Sequence, residues 1–234
     1  MADQPHLEGP TERVAVAWGR IEKWLRAHAP ASAALLRSPA SEDDLASAEE
    51  SIGLSLPPAL RAWYRLHDGI NEPVEGASSW PTAFLPGRQA WYSLDRLEDA
   101  YVMQTRDWER EPGHVPFSCV MGDIWHGLYV DARPEEPSYG DVGRWTVEYE
   151  PEPLAPGSAG WPLESWMGDV ADALEQGRCL VEPGGRRIED MWPALTVCGG
   201  LTWVDPHDAR VAGLLLLPHG VEQFQVQGAP AVGA

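Results

Sequence analysis

The stretch Leu45–Gly69, LASAEESIGLSLPPALRAWYRLHDG, encodes two short helices joined by a fixed turn. Ser41, just ahead of it, is an N-cap residue. Asp44, three positions later, completes a capping-box pair that satisfies free amides of the first turn. Leu45, Ala48 and Ile52 then recur on one helical face. Gly53 supplies the stop, because glycine takes the left-handed conformation at little cost. Leu56-Pro57-Pro58 opens the second helix, where proline's missing N–H is not needed. Leu60, Trp63 or Tyr64, and His67 form its apolar stripe, and Gly69 ends it.

Working outward, Thr11 is a cap for a first helix whose stripe is Val14, Trp18, Ile21 and Leu25, with Pro30 just past its end. Residues 32–39 read as a connector and 70–87 as a loop rich in proline and glycine. Ala90–Tyr92 is a short strand, and Ser93 caps a helix marked by Leu94, Leu97, Tyr101 and Trp108. Val115–Met121 and Gly127–Asp131 are strand-forming, with Gly122-Asp123 starting their connection. Trp145–Tyr149 alternates in the strand manner, placing Trp145, Val147 and Tyr149 on one face. After a linker at 150–160, Trp161–Gly177 is an amphipathic helix with Leu163, Trp166, Val170, Ala173 and Leu174 inward. Leu195–Val204 and Val211–Leu217 are strand-forming, separated by the turn signal Asp205-Pro206. Helices, then strands, then a closing helix make an α+β fold with a mostly antiparallel central sheet.

A chain of 234 residues is long enough to bury a sizeable core without staples. Three widely spaced cysteines, Cys119, Cys179 and Cys198, suit neither a disulfide framework nor a structural zinc site, and point to a reducing, cytoplasmic setting. The first ten residues lack the basic start and apolar stretch of a signal peptide. The longest apolar run, near Val211–Pro218, is too short to span a bilayer. Seventeen basic against 36 acidic residues give a net charge of −19, which weighs against binding nucleic acid or an anionic membrane and favours encounter with a basic partner.

The Leu45–Gly69 run resembles the SUKH superfamily, which includes the fungal cell-wall-assembly regulator domain and many bacterial immunity proteins. The resemblance lies in Leu45, Ala48-Glu49, Gly53, Leu56-Pro57, Arg61, Trp63-Tyr64 and Asp68-Gly69. Phe117, Gly122-Asp123 and Leu128–Asp131 look like the family's central hairpin, and 161–177 like its closing helix. The resemblance implies a SUKH-like domain over residues 12–178, after a disordered N-terminus at 1–11. A β-rich extension at 179–224 and a flexible tail at 225–234 lie outside the pattern. It further implies protein binding without catalysis, either as an immunity protein neutralising a cognate toxin, with a basic nuclease domain as one candidate, or as a regulatory scaffold for a host partner.

The chemistry-bearing residues fit that expectation. No nucleophile elbow, zincin helix or Walker sequence is present. His67-Asp68 are adjacent on a helix and cannot face one another, so they read as packing and turn residues. Asp205, His207 and Asp208 read as turn chemistry, and Gly184-Gly185-Arg186-Arg187 as a hairpin turn. Asp123, His126 and Asp131 form the one constellation that would suit a metal-dependent hydrolase, although their spacing matches no metal motif. No catalytic residue, metal or cofactor is therefore expected.

Of 12 tryptophans, Trp80, Trp91 and Trp125 fall in or beside loops, where an aromatic among acids is what an interface anchor looks like. Acids crowd two places: Glu42, Asp43, Asp44, Glu49 and Glu50 without a base among them, and the 135–152 region, where only Arg144 answers them. The expected partner-binding residues are Trp80, Trp91, Asp123, Trp125 and His126, together with Glu135, Glu136 and Asp141.

Overall fold

The structure is a computed structural model that describes residues 9–71, 80–120, 123–155, 160–188, 190–208 and 215–216. The tail at 225–234, Gly122 and most of the apolar run at 211–218 lie outside the described residues. Six α-helices are described: α1 (Pro10–His28), α2 (Pro30–Ala33), α3 (Glu42–Ile52), α4 (Pro58–Tyr64), α5 (Leu94–Val102) and α6 (Leu163–Gln176). One antiparallel sheet has the order β1 (Gln89–Trp91), β2 (His114–Val120), β3 (Asp123–Asp131), β4 (Val142–Thr146) and β5 (Glu152–Pro153). A smaller sheet orders β7 (Leu201–Val204), β6 (Trp192–Leu195) and β8 (Leu215–Leu216). This is the expected α+β architecture.

The deciding stretch folds as its residues dictate. Ser41 Oγ accepts from the Asp44 N–H at 3.1 Å, while the Asp44 carboxylate accepts from the Ser41 N–H at 2.9 Å. Gly53 is left-handed at φ 69° and closes α3. Leu45, Ala48 and Ile52 are buried against a core shared with Leu60, Trp63 and Tyr64 of α4. His67 and Asp68 turn to different partners, as adjacency requires. His67 Nδ1 donates to the Arg37 carbonyl at 2.6 Å, whereas Asp68 accepts from the Leu94 N–H at 2.8 Å and from Arg37 Nε at 2.9 Å. Gly69 has φ 65°, and a Cβ there would sit 2.2 Å from the Tyr92 carbonyl oxygen, so only glycine fits.

Helix α1 lays its stripe of Val14, Trp18, Ile21 and Leu25 into this core. It starts earlier than Thr11 suggests. Gly9 is the N-cap, and its N–H donates to the Glu12 carboxylate at 2.6 Å. Helix α6 closes over α1, with Arg20 held by Asp172 at 2.6 Å.

Three expectations need correction. The helix expected to reach Trp108 ends at Val102 and widens into a π-helical turn over Met103–Asp107. Strand β4 stops at Thr146, so Trp145 is buried at 1% exposure while Tyr149 stands 70% exposed; the alternation ends where the backbone turns. Residues 195–204 are not one strand. Thr196 Oγ accepts from the Gly200 N–H at 2.9 Å and Gly199 is left-handed at φ 78°, which folds the chain back between β6 and β7.

Candidate partner-binding site

The anticipated residues do not form one surface. Trp91 belongs to the core: it is 1% exposed and stacked on Trp63 with centroids 4.0 Å apart, because β1 pairs with β2 and turns it inward. It is not a surface anchor. Trp80 opens a short 3-10 turn over Trp80–Thr82, and its side chain lies outside the described residues.

Strand β3 separates the rest. Asp123 starts it and Asp131 ends it, and over the regular stretch from His126 to Asp131, five steps at about 3.3 Å per residue, the strand advances roughly 16 Å. Asp123, His126 and Asp131 therefore cannot share a hydrolytic site. Among the described residues, no group of three or more His, Cys, Asp or Glu is placed to hold a metal ion. Near the start of β3, Trp125 is 51% exposed beside an exposed His126. The Val147 N–H donates to the Trp125 carbonyl at 3.0 Å, bringing the segment that carries Tyr149 alongside.

Glu135, Glu136 and Asp141 gather beyond the opposite end of β3, in the loop that joins it to β4. Here β2, β3 and β4 build a cleft of about 530 Å³ whose lining includes His114, Tyr129, Asp131, Arg133, Asp141 and Trp161. Its floor is a fixed network. Arg133 Nε donates to Asp131 at 2.9 Å, Ser138 Oγ donates to the same carboxylate at 2.7 Å, and Arg133 Nη2 donates to His114 Nε2 at 3.0 Å. Burial alone would raise the pKa of Asp131, but the Arg133 and Ser138 hydrogen bonds outweigh it and hold the carboxyl below its usual range. Burial, aided by the Arg133 charge, lowers the His114 pKa and keeps the ring neutral.

Two glycines shape the walls. The Tyr129 ring lies over Gly143, where a Cβ would approach Cζ to 2.1 Å. Gly160, at φ 93°, lies against Asp141, where a Cβ would fall 1.9 Å from Oδ2. The Val142 N–H donates to the Trp161 carbonyl at 2.9 Å and the Leu163 N–H to the Gly140 carbonyl at 3.0 Å, tying the loop to the start of α6. Asp141 thus sits half-buried near like charges. Burial, then Asp131 and Glu164, push its carboxyl up to about 6. The sequence reading missed His114, Tyr129, Arg133 and Trp161 as site residues.

The acids differ in how they are answered. Two acids of the α3 cluster have bases after all, supplied by α4 and its C-cap: Glu42 pairs with Arg61 at 2.9 Å and Arg65 at 2.5 Å, and Glu49 lies 3.4 Å from Arg61 and accepts from the Leu56 N–H at 2.9 Å. Arg144 pairs with Glu152 at 2.8 Å. Glu135, Glu136 and Asp141 form no ion pair with another described residue, so the loop at the cleft gathers three acids without one, with Arg133 as its nearest base.

Comparison with known proteins follows the same geometry. The model of the SMI1 / KNR4 family (SUKH-1) matches residues 39–161, from the approach to α3 through the whole sheet to Trp161. A KNR4/SMI1 homolog of Kluyveromyces lactis is 29% identical over 142 residues, covering 58% of this chain and 25% of the relative. One from Eremothecium gossypii is 35% identical over 95 residues, covering 40% and 13%. The cell wall assembly regulator SMI1 of Saccharomyces cerevisiae is 35% identical over 54 residues, covering 23% and 11%. The chain thus spans a quarter or less of the length of these curated relatives. None of the described helices is long and apolar enough to cross a membrane. With the two capped helices, the antiparallel sheet and the matched span in agreement, this chain belongs to the SMI1/KNR4 (SUKH-1) family.

Proposed function

We propose that this is a non-catalytic protein-binding domain that neutralises a basic partner, in the manner of an immunity protein facing a cognate toxin. One observation carries the reading: Glu135, Glu136 and Asp141, which form no ion pair with another described residue, gather on one loop beside a cleft, whereas Glu42 and Glu49 of the other acidic cluster are paired within the fold. A focused negative surface steers a basic protein and gives it a fixed register. Exposed Trp125 and Tyr149, at the far end of the sheet, offer a second, separate patch of aromatic contact area. The domain works in the cytoplasm on this reading, where Cys119, Cys179 and Cys198 stay reduced.

The test is to mix the purified protein with the basic toxin domain encoded beside its gene. The expected result is a stoichiometric complex and rescue of cells that express the toxin. Raising ionic strength from about 0.01 to 0.15 M shortens the screening length from about 30 to about 8 Å and should weaken the complex. Neither complex nor rescue with any neighbouring toxin would sink the immunity reading. A second reading, a regulatory scaffold for a host protein, is favoured by the name of the Saccharomyces relative, a cell wall assembly regulator. It predicts reproducible capture of the same host partner with no toxin gene nearby.

A further inference from the structure

We infer that the cleft between the 133–141 loop and the start of α6 is a receptor for one basic side chain, arginine or lysine, projecting from a protein partner. This deepens the protein-binding reading and rests on it.

Three features of the cleft converge. The first is charge. Asp131 and Asp141 bring two carboxylates and Arg133 one guanidinium, while His114 accepts from Arg133 and stays neutral. Arg133 is engaged by Asp131, which leaves Asp141 without an ion pair to any described residue. Glu135 and Glu136 on the same loop add to the negative potential, while Glu152 beside Tyr129 and Glu164 near Asp141 are paired with Arg144 and Arg13. A carboxylate left half-buried among like charges gains most from a cation, through a charge-assisted hydrogen bond.

The second is an unanswered hydroxyl. Tyr129 lines the cleft and is 5% exposed, yet its hydroxyl hydrogen-bonds to no described residue. The hydroxyl oxygen is not among the fully buried polar atoms, so it is open to the cleft, where a guanidinium or ammonium donor would reach it. Gly143 exists to admit this ring: any side chain there would displace it.

The third is shape. The rings of Tyr129 and Trp161 form part of the wall, and aromatic faces attract cations. A volume of about 530 Å³ holds a long basic side chain with accompanying water. An anionic ligand would meet Asp131 and Asp141. An apolar one would strip water from Asp141 without replacing its hydrogen bonds.

The experiment uses the full chain and three small probes: the acetylated methylamides of arginine, of lysine and of citrulline, the last a neutral isostere of arginine. Nuclear magnetic resonance follows the Trp161 indole N–H. The arginine or lysine probe should shift it saturably while citrulline should not. Asp141→Asn, which keeps the shape of the side chain, should weaken the basic probe at least tenfold. Tyr129→Phe, which keeps the ring, should weaken it a few-fold.

An equal response to citrulline, no response to either basic probe, or unchanged binding in Asp141→Asn would each overturn the inference. Once a protein partner is in hand, the two readings separate. A partner that binds Asp141→Asn as tightly as the parent refutes the basic-residue receptor and leaves protein binding intact. A chain that takes the arginine probe but no protein refutes the protein-binding reading and leaves the receptor.

Discussion

Asp141 is ionised at neutral pH only against the resistance of its surroundings, and that resistance makes a prediction. Burial, then Asp131 and Glu164, lift its carboxyl from the usual aspartate range to about 6. The folded protein then holds a proton on Asp141 at a pH where the unfolded chain has lost it. Stability conferred at this site is therefore full below about pH 4, falls as pH rises to about 6, and is flat beyond. Because the carboxyl is partly solvated, screening reduces the effect to the order of 1 kcal/mol. Asp141→Asn should raise the unfolding free energy from urea titration by about that amount at pH 7.5 and leave it unchanged at pH 4. An equal gain at both pH values would mean that packing, not charge, is responsible. Asp131 sits in the same cleft with the opposite balance, because Arg133 and Ser138 hold it down. One cleft thus contains a carboxylate that is satisfied and one that is not.

At the scale of elements, Asp68 links the α3–α4 stretch to α5 through a single carboxylate that takes the Leu94 N–H and Arg37. Asp68→Ala leaves a part-buried amide and a guanidinium without it, and should cost about 1–3 kcal/mol by urea unfolding. A change below ~0.5 kcal/mol would show that water replaces the carboxylate freely. Much of this region is legible from sequence because its determinants are local. Ser41, Asp44, Gly53 and Pro58 each act within a turn of where they stand, and the stripes of α1 and α6 report their own burial. The cleft is not legible in the same way. Tyr129, Gly143 and His114 meet only through the register of β2, β3 and β4, which places Tyr129 opposite Gly143 across residues that share no local pattern. Trp91 misleads for a related reason. A strand of three residues is too short to show an alternation, so only its pairing with β2 reveals which way the indole faces. Asp123 and Asp131 looked close because a turn was expected between strands, whereas both belong to β3, which carries the chain from one to the other through a break in register between Asp123 and Gly127.

Across the whole molecule, the family match stops at Trp161, but the core does not. Leu201 and Trp203 of β7 are buried with the helices, and Trp203 Nε1 donates to the Phe84 carbonyl at 2.7 Å. Ser32, itself fully buried, donates to the Pro81 carbonyl at 2.7 Å and accepts from the Leu201 N–H at 3.0 Å. Among the described residues of the extension, β7 is thus part of the same core. Trp203→Ala should therefore cost about 3–5 kcal/mol in a single cooperative transition. A separate low-stability transition in thermal unfolding would instead mark 179–204 as an independent unit. This closure also sets an order of events during synthesis. Helix α2 leaves the ribosome well before β7, so Ser32 and the Phe84 carbonyl must wait through more than a hundred further residues for their partners. At about 5–20 residues per second, that is an interval of many seconds in which the surface beneath β7 stands open. A nascent chain of this protein offers chaperones an apolar face that the finished protein never shows.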